Sequence, residues 1–94
     1  MQVVSKKLAG GKLVRLKARV KEGRIVGVQL SGDFFLAPPE KITFLEEALE
    51  GFATNDPEAV VEVLEYVIKR EGIIVEGFAA SDVAQLVEEL GENT

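Results

Sequence analysis

Few side chains in this 94-residue sequence are equipped for chemistry, and their spacing decides of what kind. Histidine and cysteine are both missing, so the usual general base, the thiolate nucleophile and the usual metal ligands are lost together. A thiolate-held zinc or iron–sulfur site and a disulfide framework are excluded on the same ground. Carboxylates are plentiful, with Glu46 beside Glu47 and Glu88 beside Glu89. A paired-carboxylate acid/base site needs both groups facing one cleft. These pairs fall on the outer faces of predicted helices and read as solvated. Gly23-Arg24-Ile25-Val26-Gly27 has the glycines of a phosphate loop, yet no helix opens behind them and no Gly-Lys-Ser/Thr follows. That argues against a nucleotide cradle.

Two features remain. Ser31-Gly32-Asp33-Phe34-Phe35 joins an acid to two adjacent aromatics, and neighbouring side chains of an extended segment point to opposite sides. One Phe can seal a core while the other stays outside. On the structural reading Asp33 accepts backbone N–H bonds at a turn. On the functional reading the outer Phe and Asp33 form an anchor for a partner protein. The second feature is a basic strand: Arg15, Lys17, Arg19 and Lys21 alternate with Val14, Leu16, Ala18 and Val20. Such a face either orients the domain against a partner or anionic ligand, or carries charge to discourage edge pairing. Single-strand nucleic-acid binders interleave aromatics on this kind of sheet, and none is present, so nucleic acid is not expected as a partner. The candidate site residues are therefore Asp33, Phe34, Phe35, Arg15, Lys17 and Arg19, as a protein interface, with no catalytic or metal-ligating group.

The elements that must position these residues follow from hydrophobic periodicity. Strict alternation over 14–21 predicts a strand with one buried face. The next strand places Val26, Val28 and Leu30 on one face. To bring both apolar sets together, a three-residue turn Lys21-Glu22-Gly23 sets Val20 opposite Arg24, Ala18 opposite Val26, Leu16 opposite Val28 and Val14 opposite Leu30. A first strand around Gln2 to Ala9, turning at Gly10-Gly11, joins the same sheet. A helix from Pro39 to Glu50, ending at Gly51, presents Ile42, Leu45, Ala48 and Leu49. A second starts with Asp56 as cap and Pro57 as first residue, buries Val60, Leu64, Val67 and Ile68, and stops at Gly72. Ile73 to Val75 forms a short strand or a buried crossing. Ser81 caps a third helix, with Val83, Leu86, Val87 and Leu90 inward, ending at Gly91. The expected fold class is α+β: an antiparallel three-stranded sheet with helices on one face and the basic face exposed.

Size and charge set the remaining limits. Residues 1–94 make one domain, which buries only about 60% of its unfolded surface and leaves no room for an internal active-site cavity. The first 32 residues hold eight bases against one acid, net +7, and the rest hold three bases and fifteen acids, net −12. The molecule is expected to be dipolar, basic on its sheet and acidic on its helices. No apolar run approaches the roughly 20 residues of a membrane span, and the first residues lack a signal-peptide core. The expectation is a cytoplasmic protein with no membrane partner.

Gly11-Lys12-Leu13-Val14, the alternating strand, the Glu-Gly turn, Arg24-Ile25-Val26, Ser31-Gly32-Asp33-Phe34-Phe35 and the helix ending Leu49-Glu50-Gly51 together resemble the C-terminal domain of lipoate–protein ligases. The motifs cover about residues 11 to 51; beyond that only the helix order agrees. The resemblance implies a stand-alone accessory subunit of a split ligase, in which a large catalytic subunit binds ATP, magnesium and lipoate and makes lipoyl-AMP. The small subunit is then required for that activation, much less for transfer to the acceptor, and binds no cofactor alone. Its partner would be the catalytic subunit and, indirectly, lipoyl acceptor domains. The lysine of that family that contacts lipoate and adenylate belongs to the large domain, so no functional residue carries over. The hairpin-then-helix core is also similar to the iron–sulfur scaffold fold, but with no cysteine it cannot assemble a cluster. A protein-interaction module of another complex is the alternative.

Overall fold

The computed structural model describes residues 1–94 and has five strands and three α-helices. Strands β1 (Gln2–Lys7), β2 (Leu13–Lys21) and β3 (Arg24–Gly32) form an antiparallel meander in the order β1-β2-β3. A short ribbon of β4 (Phe35–Ala37) and β5 (Ile74–Glu76) stands apart from it. Helices α1 (Ile42–Leu49), α2 (Pro57–Glu71) and α3 (Ala80–Glu92) complete the second layer. α3 packs beneath β1 and β2 and α1 against β3, so one sheet face is covered and the other is open. The expected α+β architecture is the one observed.

The hairpin differs in register from the sequence expectation. Lys21 pairs with Arg24 across a two-residue Glu22-Gly23 turn, and both turn residues have positive φ, 53° and 76°. This matches a primed two-residue turn, whose twist suits the flanking strands. The face is rescued by a bulge: Arg19 pairs with Val26, but Lys17 pairs with Gln29, so β3 carries one extra residue there. Gly27, at φ 68°, takes up the kink. Consequently Ile25 is buried, Val26 is only half-buried, and Leu16 meets Leu30 rather than Val28.

Helix ends also moved. Pro39–Lys41 is a 3₁₀ turn, and α1 proper begins at Ile42 and closes at Leu49. Asp56 caps α2 as expected, its Oδ1 accepting from the Ala59 N–H at 3.2 Å. Pro57 opens that helix and Gly72 closes it in the left-handed region. For α3 the cap position is Ala79, with Ser81 inside the first turn, because Asp82 reaches back to accept the Ala79 N–H at 2.8 Å. α3 continues to Glu92, so Gly91 lies in its last turn, where it packs closely on Thr54.

The core is one cluster without a buried polar group. Leu16, Ile25, Leu45, Leu49, Leu64, Leu86 and Leu90 are its largest fully enclosed side chains. Lys6 on β1 joins the layers, its Nζ donating to Asp82 Oδ1 at 2.7 Å and to Gln85 Oε1. Burial pushes the Asp82 pKa up, but the bonds from Lys6 and from the Ala79 N–H, with the Lys6 charge, outweigh it and hold the carboxyl below its usual value of 3.8.

Gly27→Ala places a side chain in the left-handed bulge and should lower stability by about 1–2 kcal/mol, read from the urea midpoint. A carboxyl with a depressed folded pKa stabilises above its unfolded pKa and loses that contribution as pH falls through the folded one. Asp82→Asn should therefore lower the denaturation midpoint near neutral pH, and the two curves should converge as pH drops below about 4.

Candidate functional site

Nothing in the tertiary structure assembles a reacting constellation. No cluster of three or more acidic side chains is placed to hold a metal ion. The largest depression, about 570 Å³, is an open groove between α2 and α3 lined by Glu58, Glu62 and Glu88 among others. Its carboxylates would repel an anionic substrate, and the one hydroxyl in its lining, Ser81, has no histidine beside it.

The paired glutamates do something other than expected on β3. Glu46 is half-buried, and its carboxylate accepts the Leu30 N–H at 2.8 Å. One turn on, Glu50 accepts the Val28 N–H at 2.7 Å. Glu46 on α1 and Glu50, the residue just past its end, both reach the outer edge of β3. The following segment continues the seal: Ile25 N–H donates to Phe52 O at 3.0 Å, Gly51 N–H to Ile25 O at 2.8 Å, and Thr54 N–H to Gly23 O at 3.0 Å. Reading Glu46 as a solvated surface acid is thus corrected. It is a structural acceptor that blunts a strand edge.

The six residues singled out from sequence are not one patch. Arg15, Lys17 and Arg19 stand on the open face of β2, the central strand. Phe34 is half-buried and meets Phe78 edge-on, with ring centres 4.7 Å apart at 80°, which closes the base of the ribbon. Phe35 points away from it and is 57% exposed. Asp33 is exposed, and its backbone N–H donates to Leu13 O at 2.8 Å. The turn is held by that backbone bond, rather than by the carboxylate accepting one.

Phe35 has a neighbour that the sequence reading missed. In the ribbon it pairs with Glu76, while Ala37 pairs with Ile74, and residues opposite each other share a face. Leu36 and Val75 turn inward, which leaves Phe35, Ala37 and Ile74 on the outside, Ile74 at 59% exposure. The signal was available: Ile73-Ile74-Val75 cannot all point inward from a strand. A second apolar strip lies between α1 and α2, where Phe44 and Tyr66 are exposed and the Arg70 guanidinium stands 5.4 Å from the Tyr66 ring centre.

The class of protein is settled by comparison. The C-terminal domain family of bacterial lipoate protein ligases matches residues 2–87, nearly the whole chain, and the protein belongs to that family. The fold is that of a chain from an archaeal lipoylation system, "a bi-partite lipoate protein ligase and its E2 lipoyl domain from Thermoplasma acidophilum". That neighbour is 28% identical at a TM-score of 0.70, over 92% of this chain and 94% of its own. No curated protein sequence matches the chain. No helix is long and apolar enough to cross a membrane.

The role of Glu46 and Glu50 can be checked directly. Replacing both by Ala leaves the Leu30 and Val28 N–H groups without their acceptors at a part-buried edge. The pair should cost about 2–4 kcal/mol in chemical denaturation, and the exposed β3 edge should raise self-association in sedimentation.

Proposed function

We propose that this chain is the accessory subunit of a lipoate–protein ligase and acts with a catalytic subunit in activating lipoate to lipoyl-AMP at the expense of ATP. The family match over residues 2–87 carries this reading. The 28% identity to a chain of the archaeal bi-partite ligase system, over 94% of that chain, supports the division into two chains. The chemistry of the chain is consistent with it, since the fold offers surfaces for docking and the chain holds neither histidine nor cysteine. On this reading ATP, magnesium and lipoate are bound by the catalytic subunit. Lipoyl acceptor domains meet the assembly through it.

The contribution of the small subunit would be conformational. Bracing or closing the catalytic chain excludes water from a reactive mixed anhydride and orders the loops around it. The exposed Phe35–Ala37–Ile74 face suits a lasting contact of that kind, because apolar anchors give slow dissociation that salt does not weaken.

The test is lipoate-dependent ATP–pyrophosphate exchange by the catalytic subunit, with and without this chain. Exchange should need both. Phe35→Ala with Ile74→Ser should weaken the complex at least tenfold while leaving stability within about 0.5 kcal/mol, since both side chains are exposed. Exchange that is equal in the presence and absence of the chain would refute the assignment and favour an adaptor in another complex.

A further inference from the structure

The basic stripe on β2 is left without a structural explanation. Charged side chains that discourage pairing belong on edge strands, yet Arg15, Lys17 and Arg19 stand on the middle strand of the sheet. Their neighbours across both pairings are uncharged: Ser5 and Ser31 beside Arg15, Val3 and Gln29 beside Lys17, and Val26 beside Arg19. The ion pairs of the molecule, Lys6 with Asp82, Lys41 with Glu71 and Arg70 with Glu71, all lie elsewhere. Glu22, in the hairpin turn, is the sole acid before Asp33. A protein of net charge −5 has no need of a single-sign cationic stripe for solubility. Three unpaired cations side by side repel one another, and an opposing acidic surface relieves that cost.

We infer that the open sheet face around Arg15, Lys17 and Arg19 docks against a protein surface rich in aspartate and glutamate, and that this surface belongs to the catalytic subunit. The inference rests on the accessory-subunit reading given above. A sheet face without aromatics has no platform for stacking bases, and the overall negative charge opposes a polyanionic backbone, so protein is favoured over nucleic acid. The work divides between two surfaces. The apolar ribbon governs how long the complex lasts, and the cationic face governs how fast and in which orientation it forms, as charge complementarity does elsewhere.

The experiment measures association and dissociation rates with the catalytic subunit by surface-immobilised binding, from roughly 0.1 to 1 M salt, over which the Debye length shrinks from about 10 to about 3 Å. For the chain as it stands, association should slow steeply with salt. Arg15→Glu, Lys17→Glu and Arg19→Glu together should cut association at low salt at least tenfold, flatten the salt dependence and leave dissociation nearly unchanged. The milder set Arg15→Gln, Lys17→Gln and Arg19→Gln should fall between, and Lys69→Glu, an exposed base on α2, should behave as the parent does. Circular dichroism of each variant separates loss of charge from loss of fold. A complex that forms with unchanged rates after charge reversal overturns the inference and leaves the accessory reading intact. So does a reversal that spares these rates while abolishing binding to an acceptor domain or single-stranded RNA. Failure of the parent chain to bind the catalytic subunit at any salt sinks the accessory reading, and this inference with it.

Discussion

The structure depends on how the outer edge of β3 is closed. A three-stranded meander has two edges, and an unpaired edge is an invitation to aggregate. Here β3 is met along its length by its own chain: the Glu50 and Glu46 carboxylates take the Val28 and Leu30 N–H groups, and residues 51–54 pair with Gly23 and Ile25. A carboxylate accepting a backbone N–H makes a charge-assisted bond, stronger than a neutral one. These bonds fix where α1 lies, and hence where Leu45 and Leu49 enter the core. They also fix the start of α2, which follows the same segment after only a short turn through Asn55 and Asp56.

The hairpin bulge obeys the same constraint. Without the extra residue at Gly27, the tight Glu22-Gly23 turn would carry the wrong side chains of β3 inward. With it, Ile25, Val28 and Leu30 all reach the core, at the cost of one strained position that glycine occupies freely. The closed edge and the bulge together give β3 a rigid course, and β4 leaves from its end. The direction in which Phe34 and Phe35 part is set there, one toward Phe78 and the other toward solvent.

The scaffold presents two contrasting surfaces. One layer buries its apolar side completely and leaves an uncompensated cationic face, while the ribbon leaves an apolar one. What such surfaces can offer is shape, charge and a fixed orientation.

Hydrophobic periodicity was enough to place β2, β3 and the three helices, because apolar residues recur at two or at 3.6 residues and the punctuation at Pro57 and Gly72 is unambiguous, whereas the short β4 went unread and β5 was left open. Composition also excluded histidine and cysteine chemistry, because neither residue is present. Arg15, Lys17 and Arg19 were legible as an exposed face, and one of Phe34 and Phe35 as outward, from alternation alone. Register was decided only in three dimensions: a one-residue bulge leaves local periodicity nearly intact yet changes every partner beyond it. The ribbon that sets Phe35 beside Ile74, residues far apart in the chain, likewise needed the packed fold. So did the role of Glu46 and Glu50, because a carboxylate on a helix looks solvated until a strand edge is laid against it.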